Sequence, residues 1–176
     1  MPKKVDPLNK KNYTAITAAL CVTDVKAAAT FYQKAFGFQK RGIMNGPDGK
    51  PMHAELTLRG TTLMLGPEML AMEARSAKTV GASPTTLYLL VEDVDKVVGR
   101  AVKLGAKPQG PVSDMFWGDR CGRLIDPEGY TWYVDEEMAG AARDAVRRGN
   151  ECVVARLRHG DSTLPCRFTI DAGRQS

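Results

Sequence analysis

The feature that most constrains this chain is an internal repeat with a spacing of 69 residues. The segment 20–25, Leu-Cys-Val-Thr-Asp-Val, resembles the segment 89–94, Leu-Leu-Val-Glu-Asp-Val. The same spacing relates Gly60 to Gly129. A spacing that stays nearly constant over much of the chain indicates a duplicated structural unit. The 176 residues are enough for one domain that contains both units.

Each unit begins with a pattern that is typical of a strand followed by an amphipathic helix. In the first unit, residues 15–22 alternate small and apolar side chains, and Asp24 offers a side-chain oxygen as the cap of a helix over 26–36. Gly37 ends this helix, because glycine adopts positive φ without a steric clash. The equivalent elements of the second unit are the strand 87–91, the cap Asp93 and the helix stop Gly105.

Three further strands are predicted after each helix, so that each unit has the order βαβββ. They fall near residues 39–44, 53–59 and 61–67 in the first unit, and near 107–112, 118–125 and 131–134 in the second. The sequence Asp126-Pro127-Glu128-Gly129 is typical of a tight hairpin turn. We therefore predict an α+β domain over residues 15–135, with modules at about 15–67 and 85–135.

The two ends of the chain do not share the repeat. Residues 1–14 form a polar N-terminal segment. Residues 136–148 have the pattern of a helix, with acidic residues at its start and arginines at its end. Residues 150–176 show no clear period, and both a loosely attached tail and an oligomer arm are open interpretations.

Charge and composition exclude several classes of function. The net charge of +5 comes from the chain ends, because residues 17–136 hold 14 basic and 14 acidic residues. We therefore expect no nucleic-acid interface, which needs a basic stripe on the folded body. No apolar run is long enough to span a bilayer, and the N-terminus lacks the apolar region of a secretory signal. The four cysteines match no zinc or redox motif, so we expect free thiols in a cytoplasmic protein without membrane contact.

Both units carry short motifs that are specific enough to compare with known families. In the first unit they are Val22-Thr23-Asp24 and Ala35-Phe36-Gly37-Phe38. In the second they are Met115-Phe116-Trp117-Gly118-Asp119-Arg120 and the turn 126–129. Together these motifs resemble the glyoxalase/bleomycin-resistance (vicinal oxygen chelate) superfamily, and those of the second unit are similar to its PhnB-like branch. The resemblance implies two modules that form a cup from curved mixed sheets. It also implies a homodimer, in which the cup closes either within one chain or with a module of the partner.

The resemblance also indicates where a metal ion would bind. The metal-dependent members place one ligand on the first strand and one on the last strand of each module. Carried onto this chain, these positions hold Thr17, Met64, Thr86 and Tyr133. Hydroxyl and thioether groups are weak donors where catalytic divalent ions prefer imidazole or carboxylate. We therefore expect no metal and no other cofactor, and the pair His53 and Glu55 on one strand face leaves a noncanonical metal site as the alternative.

A cup without metal is expected to bind a small molecule, as the bleomycin-resistance branch does with an antibiotic. The predicted ligand-binding residues are Thr17, Met64, Thr86, Tyr88, Trp117, Arg120 and Tyr133. Arg120 can hold an acidic ligand or pair with a neighbouring aspartate. The alternatives are a metal-dependent lyase, isomerase or dioxygenase with noncanonical ligands, and a regulatory subunit whose cup is filled. Catalytic residues, and whether the protein is an enzyme, stay open at this stage.

Overall fold

The computed structural model describes residues 13–14, 16–115 and 119–137, and it contains two modules with the same order of elements. The first module consists of β1 (Ala18–Val22), α1 (Val25–Phe36), β2 (Gln39–Asn45), β3 (Pro51–Leu58) and β4 (Thr61–Pro67). A linker follows, with a 3-10 turn at Leu70–Met72 and the short helix α2 (Ala77–Val80). The second module consists of β5 (Thr86–Leu90), α3 (Val94–Lys103), β6 (Lys107–Pro108), β7 (Ser113–Asp114), β8 (Asp119–Ile125) and β9 (Thr131–Glu137).

Each module forms its own mixed sheet. The first sheet has the order β1-β4-β3-β2, and the second has the order β5-β9-β8-β6, with β7 also paired to β8. The first strand runs parallel to the last strand of its module in both cases. Ala19 pairs with Met64 in the first sheet, and Tyr88 pairs with Tyr133 in the second. The residue numbers of the second pair exceed those of the first by the spacing of the sequence repeat. The predicted α+β fold with two βαβββ modules is therefore confirmed.

The helix signals in the sequence have the predicted geometry. The Asp24 carboxylate accepts hydrogen bonds from the backbone N–H groups of Lys26 and Ala27, at 2.8 and 2.9 Å. Asp93 caps α3 in the same way. Gly37 ends α1 with a φ of 82°, in the left-handed region that glycine enters easily. Local side-chain chemistry therefore sets where both long helices begin.

The two modules share one hydrophobic core. Each long helix lies over its own sheet, and α1 also packs against α3. The Phe36 ring of α1 lies 4.6 Å from the Trp132 ring of β9, and Arg100 of α3 donates a 2.8 Å hydrogen bond to the Ala35 carbonyl. A single cluster of buried side chains joins both modules. Because the helix-covered faces of the two sheets meet in this core, the opposite faces of both sheets point away from it.

Two of the predicted elements differ from the structure. The strand β9 includes Glu136, where a helix was predicted to begin, because this residue pairs with Arg120 on β8. The rest of that predicted helix lies outside the described residues. The strand predicted at 107–112 is reduced to β6, since Pro108 and Pro111 have no N–H group to donate to a neighbouring strand. In the described part of the chain, no helix is long and apolar enough to cross a membrane.

Candidate functional site

Two stacked tyrosines lie on the face of the second sheet that none of the described helices covers, which we call its uncovered face. Tyr88 on β5 and Tyr133 on β9 are register partners, and their rings stack with centroids 6.4 Å apart and planes 18° apart. Arg123 on β8 holds its guanidinium 5.6 Å from the Tyr133 ring centroid, close enough for a cation–π contact. We call Tyr88, Arg123 and Tyr133 the tyrosine platform. Tyr88 is 59% exposed, so an aromatic surface remains open to a ligand.

A buried carboxylate lies beside this platform. Asp135 follows Tyr133 on the same face of β9 and is 1% exposed. Its Oδ2 accepts a hydrogen bond from the Tyr88 hydroxyl, whereas Oδ1 has no hydrogen-bond partner among the described residues. Oδ1 is itself buried, and a buried polar atom without a partner is unfavourable, so a donor group that displaced the side chains covering Oδ1 would gain a hydrogen bond there. Burial, and then the hydrogen bond to Asp135, raises the pKa of Tyr88, which keeps the phenol protonated as a donor.

Cys121 is the thiol nearest to this carboxylate along the sheet. It pairs with Asp135 between β8 and β9 and is buried. Burial, then the charge of Asp135 and a side-chain hydrogen bond to it, and then the charge of Asp119 raise the pKa of Cys121 to about 11. The sulfur is therefore a neutral thiol near pH 7 and a poor nucleophile. This environment favours binding over covalent catalysis at this face.

The uncovered face of the first sheet carries a second polar cluster, centred on Glu55. The Glu55 carboxylate accepts a 2.9 Å hydrogen bond from the Tyr13 hydroxyl and a 3.2 Å ion pair from Arg41. His53 Nε2 lies 3.4 Å from the same carboxylate. Burial acts to raise the pKa of Glu55, but these three hydrogen bonds outweigh burial and lower the pKa below its usual range. The carboxylate is therefore already engaged by the protein.

The comparisons with known proteins decide the family. Residues 13–134 match the Glyoxalase/Bleomycin resistance protein/Dioxygenase superfamily. The chain belongs to this superfamily. An uncharacterized protein of Mycobacterium bovis is 35% identical over 136 residues, which cover 76% of this chain and 90% of that protein. A second uncharacterized relative, from Mycobacterium tuberculosis strain H37Rv, is also 35% identical and is covered to 80% of its length.

Solved structures of the superfamily show the same fold. TioX from Micromonospora sp. ML1 is 24% identical, with a TM-score of 0.57 over 71% of this chain and 99% of that one. A gene product from Arabidopsis thaliana is 27% identical, with a TM-score of 0.56 over 69% of this chain and 97% of that one. A glyoxalase/bleomycin resistance protein/dioxygenase family enzyme from Burkholderia phytofirmans PsJN is 19% identical, with a TM-score of 0.57 over 72% and 98% of the two chains.

The four positions at which the resemblance would place metal ligands hold side chains that bind metal ions weakly. Thr17 precedes β1, and Met64 lies on β4 opposite Ala19. Thr86 begins β5, and Tyr133 is part of the platform. The alternative pair, His53 and Glu55, provides only two donors. Within residues 13–14, 16–115 and 119–137, no group of three or more His, Cys, Asp or Glu side chains is arranged to hold a metal ion. The donor set does not fit a catalytic divalent ion.

Of the seven residues predicted to bind ligand, the structure brings Tyr88 and Tyr133 together. Thr86 lies on the same strand as Tyr88, two residues before it, whereas Thr17 and Met64 belong to the first module. Trp117 lies outside the described residues.

The structure places Arg120 away from the tyrosine platform. Arg120 lies on the face of β8 that α3 covers, and its guanidinium binds Asp95 at 2.7 and 3.0 Å and Asp114 at 2.8 Å. These carboxylates balance its charge and connect β8 to α3 and β7. The sequence left open whether Arg120 binds a ligand or pairs with an aspartate, and the structure shows the aspartate pairs. We therefore do not include Arg120 in the site.

Sequence reasoning did not single out Arg123 and Asp135. The signal for Asp135 was present, because the alternation of a strand places residues 133 and 135 on one face. Arg123 was not predictable in the same way, since its position beside Tyr133 depends on the register between β8 and β9.

Proposed function

We propose that this chain is a superfamily member that binds a planar small molecule on the tyrosine platform without a resident metal ion. The observation that carries the proposal is the stack of Tyr88 on Tyr133 beside the buried Asp135, on the sheet face opposite to the one that α3 covers. Sequestration of an antibiotic or another planar metabolite needs only such binding. The sequence analysis predicted that both tyrosines bind a ligand.

The chemistry of the platform defines the ligand class. A planar ring stacks on an exposed tyrosine face through dispersion and quadrupole interactions. The Arg123 guanidinium next to Tyr133 adds a cation that attracts electron-rich rings. The free Oδ1 of Asp135 favours a ligand with an N–H or O–H donor near the ring. A planar aromatic compound with at least one such donor satisfies all three groups.

We also propose that a second copy of the chain completes the site. The helix-covered faces of the two sheets already meet inside one chain, so the uncovered faces point outward. Tyr88 and Leu90 are 59% and 48% exposed on the edge strand β5, which leaves apolar area for a partner. In a two-fold dimer, the first module of each copy covers the platform of the other. Size-exclusion chromatography with light scattering tests this, and a monomer at all concentrations contradicts it.

A ligand panel screened with and without chelator tests the proposed function. We expect chelator-treated protein to be stabilised by planar aromatic donors, by about 2.7 kcal/mol for a ligand present at 100 times its Kd. The variant Tyr133→Ala is expected to lose this shift, whereas the matched control Tyr133→Phe keeps the ring and retains it. Stoichiometric divalent metal, together with ligand binding that chelator abolishes, would contradict the proposal and favour a metal-dependent lyase, isomerase or dioxygenase.

A further inference from the structure

A cavity lies between the two modules, on the helix side of the sheets. Its volume is about 340 Å³, within the range of about 300–1,000 Å³ that is typical of small-molecule sites. It reaches the edge strand β5 at Tyr88, but most of its walls belong to the shared core rather than to the uncovered face. These walls are apolar and come from both modules: Phe38, Leu58, Leu63, Leu89 and Trp132.

The cavity lies where the two modules differ in sequence. In the second module, Tyr130 is buried, and its hydroxyl accepts a 3.1 Å hydrogen bond from the Cys21 N–H and donates a 2.7 Å hydrogen bond to the Cys21 carbonyl. The phenol thereby fills the gap beside the free edge of β1. The spacing of 69 residues places Thr61 at the position of Tyr130 and Leu90 at that of Cys21. Thr61 lines the cavity, so a small side chain stands where the other module has a ring.

The open end also carries a positive charge that the filled end lacks. Arg59 lines the cavity, and its guanidinium donates a hydrogen bond to the Leu90 carbonyl. The equivalent residue of the second module is the acidic Glu128. In the described part of the chain, no carboxylate lies within ion-pair distance of Arg59. The backbone of Arg59 has a φ of 45°, in the left-handed region. This conformation costs a residue other than glycine about 1 kcal/mol or more.

We propose that this cavity binds a small aromatic carboxylate. The ring takes the space that the Tyr130 phenol fills at the other end, against the apolar walls around Trp132. The carboxylate binds Arg59 at the mouth, because a guanidinium matches a carboxylate in shape and charge. The N–H of Leu90 points to the same free strand edge as its carbonyl and supplies a further donor. The cavity and the tyrosine platform share Tyr88, but the apolar walls of the cavity and Arg59 do not belong to the platform.

The test uses 3-phenylpropionate as the probe and the neutral 3-phenylpropionamide as its matched control, each titrated into the full chain and followed by ¹H–¹⁵N NMR. We expect saturable binding of the acid, with shifts at the Trp132 indole and the Leu89 amide, and weaker binding of the amide. Arg59→Asn should lower the affinity for the acid by about tenfold or more. Asparagine accepts the left-handed backbone, so this variant keeps the turn. Thr61→Tyr should abolish binding by restoring the missing ring.

Several results would overturn this inference: no saturable binding, equal affinities of the acid and the amide, or unchanged affinity in Arg59→Asn. Binding that occurs only after removal of residues 1–12 would make the chain's own N-terminal segment the occupant, which also overturns it. If Thr61→Tyr does not fold, Arg59→Asn alone decides. Shifts at the Tyr133 and Asp135 amides without shifts at the Trp132 indole and the Leu89 amide would place the acid on the tyrosine platform and overturn this inference, so a failure of the platform is distinguishable from a failure of this cavity.

Discussion

The Tyr32 hydroxyl on α1 donates a 2.7 Å hydrogen bond to Oδ2 of Asp126, so a phenol of the first module binds a buried carboxylate of the second. The same oxygen accepts a 2.7 Å hydrogen bond from the Trp132 indole. Oδ1 accepts hydrogen bonds from the backbone N–H groups of Glu128 and Tyr130, each at 2.9 Å. This carboxylate therefore holds the turn before β9 against α1. The relative position of the two modules depends on it.

Replacing Tyr32 by phenylalanine should lower the free energy of unfolding by about 1–3 kcal/mol, because a buried carboxylate loses a hydrogen-bond donor. The matched control is Tyr133→Phe, which also removes one hydroxyl, but from a half-buried ring on the uncovered face. Urea unfolding followed by circular dichroism measures both variants. Equal losses in the two would contradict the assigned role of Tyr32.

The turn glycine Gly129 should not tolerate a side chain. Its φ is 87°, and a Cβ atom there would lie 2.5 Å from the Lys78 backbone nitrogen of α2. We expect Gly129→Ala to destabilise the protein by on the order of 2 kcal/mol or more. The control Gly42→Ala, on a strand with no atom within 4 Å of the added Cβ, should change stability by about 0.5 kcal/mol or less. Thermal unfolding compares the two, and similar melting temperatures would refute the close approach of α2.

The thiol of Cys121 should resist alkylation at neutral pH. Burial and the neighbouring carboxylates raise its pKa to about 11, and only the thiolate reacts. The modified fraction in folded protein should stay small at pH 8 and increase as the pH approaches 11. Peptide mass spectrometry after iodoacetamide treatment reports on Cys121 by itself, and the same treatment in urea is the control for accessibility. Rapid modification of Cys121 in the folded protein near pH 7 would contradict the buried position of the thiol beside carboxylates.

Arg120 and Arg123 lie three residues apart on β8 and should behave differently. Arg120→Ala breaks the pairs with Asp95 and Asp114, so it should lower the melting temperature and leave the affinity for a platform ligand unchanged. Arg123→Ala removes the cation beside Tyr133. It should lower the affinity for the ligand and have little effect on the melting temperature. Melting curves and titrations of both variants are a direct comparison. Loss of ligand affinity in Arg120→Ala would restore this residue to the site.

Much of the fold was predictable because its signals are local. The caps Asp24 and Asp93 and the stop Gly37 act within one turn of helix, so the sequence predicts them without knowledge of packing. The repeat also predicted that Tyr133 is equivalent to Met64, and the strand pairing agrees, because the pair Tyr88 and Tyr133 lies 69 residues after the pair Ala19 and Met64.

The remaining features depend on tertiary structure. Glu136 belongs to a helical sequence pattern, but its pairing with Arg120 keeps it in β9. The face on which Arg120 lies follows from the packing of α3 on β8, which no local pattern reports. The packing of α1 against α3, which directs the uncovered faces outward, likewise comes from contacts between side chains that are distant along the chain, such as Phe36 and Trp132.

The most direct test of the central claim is a crystal structure of chelator-treated protein with the best platform ligand from the panel. The account predicts a planar ring stacked on Tyr133, with a donor within hydrogen-bond distance of Asp135 Oδ1. An ion coordinated by Thr17, Met64, Thr86 and Tyr133, or a ligand bound away from the second sheet, would contradict it.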